Sequence, residues 1–105
     1  MHPVIHEIAH IDVKPGQEAA FEAGVAAAAP LFRRAQGCQG LSLQRGIEQP
    51  SRYRPVVQWA SVEDHTVHVR ASNDFQEWRR LVGHCISQPP EVEHLRTVIA
   101  PLSVR

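Results

Sequence analysis

The stretch Val56–Trp78, VVQWASVEDHTVHVRASNDFQEW, is the clearest indication of the fold because it predicts a strand that is followed by a helix within a few residues. The predicted strand runs into Trp59, a residue type that favours strands. Ser61 then offers an N-cap that two acidic residues follow, and this predicts a helix to about Ala71. Asn73 is predicted to cap a second helix, whose apolar stripe has helical spacing. That stripe consists of Phe75, Trp78, Val82 and Cys85.

Two strands are predicted immediately before this stretch and at its start. Leu41–Glu48 alternates between apolar and polar residues, and Tyr53–Ala60 follows after a short polar connector. This spacing predicts an antiparallel hairpin. Pro55 lies inside the second strand, so we expect it near the start of that strand or at a bulge if the strand is central.

The two ends of the chain complete the pattern. Val4–Val13 alternates as a strand, and Gln17–Arg34 is an Ala-rich helix that Pro30 should kink or divide. Glu93–Ala100 is predicted as the last strand. The order β-α-β-β-α-β predicts a ferredoxin-like α+β sandwich, with a four-stranded antiparallel sheet and helices on one face.

The second face of this sheet also carries apolar side chains. They would form an exposed patch, and such patches usually mark interfaces. We therefore expect a homodimer packed sheet to sheet. The patch comprises Val4, Ile8, Val56, Val98 and Ala100.

Length and charge narrow the class of protein. The 105 residues indicate a single domain over residues 1–105, and 11 basic residues balance 11 acidic ones. The absence of a basic stripe argues against nucleic-acid binding. No window is apolar enough to span a membrane, and the N-terminus lacks the pattern of a signal peptide. Cys38 and Cys85 follow no disulfide or zinc spacing, so we expect free thiols in the cytoplasm.

Two histidines stand out as candidates for chemistry. Imidazole changes its protonation near neutral pH and is a common general base. His65 shares a helical stripe with Val62 and Val69 and should point inward, while His68 should lie at the edge of the buried face. They could bind one metal ion together, but no third ligand has a suitable spacing. The simpler alternative is that each is an ordinary half-buried histidine.

The aromatic residues and one arginine have similar alternatives. Trp59 and Trp78 are either core residues or flat surfaces for a planar ligand. Arg45 is predicted beside Tyr53 on an apolar face, so its charge needs a partner. That partner is either Glu7 on the first strand or an anionic ligand.

Four segments resemble the antibiotic biosynthesis monooxygenase domain family of small dimeric α+β barrel proteins. They are EIAHIDVKPGQEAAFE, AQGCQGLSLQRGIEQPSRY, VVQWASVEDHTVHVRASNDFQEWRRL and PPEVEHLRTVI, in this order along nearly the whole chain. The resemblance implies a pocket between the helices and the sheet of each subunit. It places Trp59 and His68 at positions that often line this pocket, with His65, Phe75 and Trp78 beside them. Ala9, Ile11 and Phe21 would form its apolar floor.

The activity that this resemblance implies is oxidation of a small aromatic or quinol-like substrate by O2, without metal, flavin or other cofactor. We expect His68 to act as base and His65 as second proton acceptor or orienting group. Trp59 and Trp78 would stack on the ring, and Arg45 could offset anionic charge if it faces the pocket.

The sequence also departs from parts of the family. Haem-degrading relatives use an Asn on the first strand, where this chain has Ala9, and a Trp where it has His68. The sequence therefore argues against haem degradation. Two alternatives to the oxygenase stay open: a non-catalytic dimer that binds a small hydrophobic ligand or a partner protein, and a metal-assisted enzyme using His65 and His68.

Overall fold

The computed structural model describes residues 4–104 and shows the predicted order of elements, with the second helical segment divided. Within that range no helix is both long and apolar enough to cross a membrane. The strands are β1 (Ile5–Asp12), β2 (Cys38–Arg45), β3 (Arg52–Trp59) and β4 (Glu91–Arg96). The helices are α1 (Glu18–Ala27), α2 (Ala29–Arg33) and α3 (Asn73–Val82), with a π-helix at Asp64–Val69 and a 3-10 turn at Gly83–Cys85.

The four strands form one antiparallel sheet in the order β2-β3-β1-β4, which confirms the ferredoxin-like α+β fold. The two central strands, β1 and β3, turn alternate residues toward the helices. Glu7 of β1 lies between Val57 of β3 and His94 of β4 in the register. The pleat therefore brings a carboxylate and an imidazole from neighbouring strands to the helix-covered face.

The hairpin forms as predicted, but its first strand lies three residues earlier than expected. β2 begins at Cys38 and ends at Arg45 because the turn starts at Gly46, whose N–H donates to the carbonyl of Arg52 at 2.7 Å. Ile47, predicted to continue the strand, lies in the turn and is 89% exposed. The last strand is likewise earlier than the predicted Glu93–Ala100 and ends at Arg96.

Pro55 lies inside the central strand β3, where a proline cannot donate a ladder hydrogen bond. The sheet accommodates it by interrupting one ladder. Pairing of β1 with β3 passes from Ile8–Val56 directly to Ile11–Tyr53, while β2 still pairs with Pro55 through Leu43. The predicted bulge is found elsewhere, between Cys38 and Gly40.

The Ala-rich segment is divided at Pro30, as predicted, because a proline is tolerated in the first turn of a new helix. Phe21 and Val25 of α1 bury their side chains against the sheet. Gly24 lets α1 approach α3 closely, since a Cβ at this position would lie 2.6 Å from the carbonyl oxygen of Leu81. The approach of these two helices at Gly24 sets the width of the helical layer.

The Gly24→Ala substitution is expected to lower the free energy of unfolding by about 1–3 kcal/mol, because overpacking forces the two helices apart. Denaturant unfolding at fixed protein concentration measures the effect. Gly83→Ala is the matched control, because a Cβ there meets nothing within 4 Å and the backbone φ of −59° suits any residue. Equal stability of the two variants would contradict the close helix contact.

The predicted helix after Ser61 is present, but most of it is π-helical. The Ser61 hydroxyl oxygen accepts the backbone N–H of Asp64 at 3.2 Å, as expected of an N-cap. Gly37, with φ of +78°, packs so closely against Asp64 that no side chain would fit. The second helix is capped by Ser72 rather than Asn73, since the Ser72 hydroxyl accepts the N–H of Phe75 at 3.3 Å.

Candidate active site

A cavity of about 850 Å³ opens between the sheet and the helical layer. This volume lies within the range of ligand pockets of proteins. Its walls are mostly apolar, with several charged groups and imidazoles among them. The sheet contributes Glu7, Ala9, Ile11, Val57, Trp59 and Val92, and the helical side contributes Phe32, Arg34, His65, His68, Arg70, Phe75, Trp78 and Val82, among others.

The polar side chains of the cavity wall are connected to one another and to a half-buried histidine behind them. The indole Nε1–H of Trp59 donates to Oε1 of Glu7 at 2.8 Å. The other carboxyl oxygen of Glu7 lies 3.4 Å from Nε2 of His65, and Nδ1 of His65 lies 2.9 Å from Nε2 of His94. The rings of Trp59 and His65 are stacked with centroids 5.7 Å apart. Three strands and the π-helix thus contribute one residue each.

Burial governs the protonation of this set. It lowers the pKa of His65 to about 4, and the nearby charges of His94 and Arg70 act in the same direction. His65 is therefore neutral at pH 7. Burial raises the pKa of Glu7, while the Trp59 hydrogen bond and the charge of Arg70 oppose that rise. The ring of His65 is therefore uncharged, and Glu7 keeps its proton to a higher pH than an exposed glutamate does.

His68 also lines the cavity, but its environment is different. Its side chain is exposed, and no hydrogen bond or ion pair to it is found among residues 4–104. The two imidazoles therefore occupy distinct positions: His65 is oriented by its neighbours, and His68 is open to solvent and to any molecule that enters.

Aromatic rings line the cavity wall opposite the sheet, and an ion pair lies beside them. Phe32 and Trp78 meet edge to face with ring centroids 5.3 Å apart. Beside them Arg34 donates to both carboxyl oxygens of Asp74 at 2.7 Å each, which links α2 to the start of α3. This geometry is the paired arrangement that guanidinium and carboxylate favour.

Two residues that were expected in the pocket lie elsewhere. Arg45 is opposite Tyr53, as predicted, but its guanidinium binds Glu22 at 3.1 Å and the carbonyl of Pro50 at 2.7 Å. Neither Glu7 nor the cavity provides its partner, because β2 carries Arg45 to the hairpin end beside α1. Phe21 is fully buried in the core against Tyr53, with ring centroids 4.8 Å apart, and does not reach the cavity.

Of the predicted site residues, the structure brings Trp59, Trp78, Phe75, His65, His68, Ala9 and Ile11 to the cavity wall. Sequence reasoning did not place Glu7 and His94 beside His65. The signal for Glu7 was present, since it is the one acidic residue on the buried face of β1. For His94 the signal was weak, because the strand register that sets it opposite Glu7 cannot be derived from local sequence.

The metal hypothesis requires further ligands near His65 and His68. Among residues 4–104, no group of three or more His, Cys, Asp or Glu side chains is arranged to hold a metal ion. The nitrogens of His65 face Glu7 and His94 in the geometry described above.

The fold and the cavity define a small α+β domain with a ligand-sized pocket under its helices. Over residues 4–81 the sequence matches the antibiotic biosynthesis monooxygenase family, and the chain belongs to that family.

Individual relatives agree with this assignment. A protein from Bordetella bronchiseptica, provisionally described as an antibiotic biosynthesis monooxygenase, has 56% sequence identity and a TM-score of 0.92, covering 93% of this chain and all of that one. The Bacillus subtilis (strain 168) protein YczJ, itself uncharacterised, is 34% identical over 95 residues, which is 90% of this chain and all of YczJ. A Caulobacter crescentus structure with 22% identity and a TM-score of 0.79, covering 93% and 92% of the two chains, shares the fold.

Proposed function

We propose that this protein is a cofactor-independent monooxygenase that oxidises a small aromatic or quinol-like molecule with O2. The observation that carries the proposal is the cavity, in which two imidazoles and a buried carboxyl group face apolar and aromatic walls. Family membership supports the same class of reaction. An electron-rich ring can reduce O2 itself once it is held away from water and has lost a proton.

In the proposed reaction, His68 removes the proton of a substrate hydroxyl group, and the electron pair of that O–H bond stays on the substrate. The resulting anion gives electrons to O2 and forms a C–O bond. As the O–O bond then breaks, one oxygen atom stays on the product and the other leaves as water, so that the substrate supplies all four electrons and, in net, both hydrogen atoms of that water. His65 orients the substrate or acts as second proton acceptor. Trp78 provides a flat surface beside the ring, as Phe75 does at the start of α3. Trp59, also expected to stack on the ring, is fully buried and instead holds Glu7 and orients His65.

The anionic form of the substrate needs positive charge nearby. Arg45 was expected to supply it but lies outside the cavity, as described above. Arg70 and Arg79 line the cavity, and among residues 4–104 no hydrogen bond or ion pair of their guanidinium groups is found. We assign the role expected of Arg45 to these two guanidinium groups.

The His68→Ala variant is expected to lose oxygen uptake by about 100-fold or more, the usual contribution of a general base. The assay measures O2 consumption by purified protein against quinols, catechols and anthrone-like phenols. His84→Ala is the control, because this exposed histidine lies outside the cavity. Full turnover by His68→Ala would refute its role as base, and no uptake by the wild type would refute the oxygenase.

A non-catalytic role in binding a small hydrophobic ligand is the alternative. The observation in its favour is that nothing among the described residues orients His68. Binding of the same aromatic panel without oxygen uptake would support this alternative. The protein would then hold its ligand in the same cavity.

We further propose that the protein is a cytoplasmic homodimer joined through the uncovered face of the sheet. His6, Ile8 and Val56 form a shallow depression on this face together with residues 95–99. Leu95 is 43% exposed and Val98 is 88% exposed, which leaves a contiguous apolar surface in one subunit. A second copy of the same face is self-complementary, because both copies offer the same apolar side chains.

Leu95→Glu is expected to convert the dimer to a monomer, because it would place a carboxylate in the apolar contact. Analytical ultracentrifugation at micromolar concentration measures the change. Val67→Glu is the control, since Val67 is an exposed apolar residue of the π-helix on the other side of the molecule. A monomeric wild type would refute the proposed interface.

A further inference from the structure

The proposed reaction releases one oxygen atom of O2 as water, so a proton must reach that atom inside the cavity. His68 removes a proton at the solvent-facing side of the cavity and is poorly placed to donate a proton at the side formed by the sheet. The connected residues on that side are Glu7, His65 and His94, two of which were not expected to take part.

We propose that Glu7, His65 and His94 form a proton path from the edge of the sheet to the cavity, and that Glu7 is its proton donor to reduced oxygen. The inference rests on the proposed function for the step that consumes the proton. The path itself rests on geometry alone.

The first observation is continuity. The distance is 3.4 Å between Glu7 Oε2 and His65 Nε2, and 2.9 Å between His65 Nδ1 and His94 Nε2. Nδ1 of the ring is thus hydrogen-bonded, and Nε2 faces a carboxyl oxygen at ion-pair distance on the opposite side. An imidazole placed in this way can receive a proton at one nitrogen and release one at the other once the Glu7 carboxyl group moves to hydrogen-bond distance. Glu7 and His65 line the cavity, whereas His94 lies behind them on the edge strand β4.

The second observation is the change in exposure along the path. Glu7 and His65 are buried, while His94 is half-buried and so has access to water. Glu7 is also held in place, because the Trp59 indole binds one carboxyl oxygen and leaves the other toward His65. A positioned donor at one end and a solvent-accessible group at the other are the two requirements of a proton path.

The proton moves by one transfer at each contact along the path. The O–H bond of the Glu7 carboxyl group breaks as an O–H bond of water forms on the departing oxygen. The Glu7 carboxylate then takes the Nε2 proton of His65, while Nδ1 of His65 takes the Nε2 proton of His94. Solvent protonates Nδ1 of His94 as its Nε2 proton leaves, so both rings stay neutral. Each ring ends as its other tautomer, which ring rotation or proton exchange with water resets before the next turnover.

The charged surroundings are consistent with this role. Burial raises the pKa of Glu7, so the carboxyl group keeps its proton to a higher pH than an ordinary glutamate. Arg70 works against that rise, and together with His94 it helps to keep His65 neutral. His94 on β4 and Arg70 at the end of the π-helix are thus the charged groups that act on Glu7 and His65.

The test begins without a substrate. Nuclear magnetic resonance of ¹⁵N-histidine-labelled protein follows the titration of His65 in the wild type, in His94→Ala and in His84→Ala. His94→Ala is expected to move the His65 midpoint upward from about 4, because a positive neighbour is removed, and His84→Ala should leave it unchanged. An unchanged midpoint in His94→Ala overturns the path.

The second arm uses oxygen uptake. Glu7→Gln is expected to lose about 100-fold in turnover, because the amide keeps the shape of the side chain but cannot donate the proton. His94→Ala should also be slow, and added imidazole should restore it, since a small acid can replace the missing ring. A merely structural role would not be rescued in this way, so failure of imidazole to restore turnover overturns the path.

The two proposals fail differently. Uptake by the wild type that His94→Ala retains in full overturns the proton path and leaves the oxygenase in place. No uptake by the wild type, together with the shifted His65 midpoint in His94→Ala, overturns the oxygenase and supports the coupled array.

Discussion

Trp59→Ala is expected to lower the free energy of unfolding by about 3–5 kcal/mol, a large part of the 5–15 kcal/mol typical of a small domain. The side chain is fully buried in the core beneath the cavity. Its removal leaves a void, takes the stacking partner from His65 and leaves Glu7 without its 2.8 Å indole donor. Urea unfolding at pH 7, followed by circular dichroism, measures the loss.

Two controls separate packing from hydrogen bonding at this position. Trp59→Phe keeps an aromatic ring but removes the Nε1–H. We expect the free energy of unfolding to fall by about 1–3 kcal/mol, the cost of leaving the buried Glu7 carboxyl group without its donor. Trp78→Ala removes the same amount of side chain from a half-buried site and should cost less than Trp59→Ala. Equal losses for the two alanine variants would contradict the central position of Trp59.

Acidification is expected to destabilise the protein through His65, by up to about 3 kcal/mol between pH 6.5 and pH 4. The pKa of His65 falls from 6.5 in the unfolded chain to about 4 in the folded one. Over this range the unfolded state binds the proton and the folded state does not, so stability decreases as pH falls. The contribution is fully present above pH 6.5.

Glu7 acts in the opposite direction within the same experiment. Its folded pKa is raised above the usual 4.5, so the folded state holds a proton that the unfolded chain releases, and stability decreases as pH rises above 4.5. The His65→Gln variant isolates the histidine contribution and should show a flatter acid limb in urea titrations from pH 4 to pH 7. His84→Gln should keep the wild-type slope, and a wild-type slope in His65→Gln would exclude His65 as the cause.

The elements of this fold could be predicted from local sequence, because each strand and helix has its own apolar periodicity and its own capping or turn residues. The hairpin and the division at Pro30 followed from alternation and from the chemistry of proline. The strand ends were less accurate, since Ile47 continues an alternating pattern that the turn at Gly46 terminates. The π-helix left no distinct pattern in the sequence, and the close approach of its Asp64 to Gly37 joins residues that are far apart along the chain.

The candidate site could be predicted only in part, for a physical reason. The alternation of the strand predicted that Trp59 points inward, and the apolar stripe of the helix predicted the same for His65. The partners of these residues depend on which strands are neighbours and in what register, so Glu7 and His94 come together from opposite ends of the chain. Arg45 illustrates the same point, because its partner Glu22 lies on a helix whose docking the sequence does not specify.

The position of β4 has a consequence for hydrogen exchange. This edge strand is held to the sheet by β1 alone, and of its six residues only His94 is half-buried, the others being exposed. Such an edge can detach in a local opening that leaves the rest of the sheet intact, and its amides should then exchange with solvent sooner than those of β3. Each opening would carry His94 away from His65. The lifetime of the Glu7–His65–His94 contacts is therefore set by the local opening of one short strand.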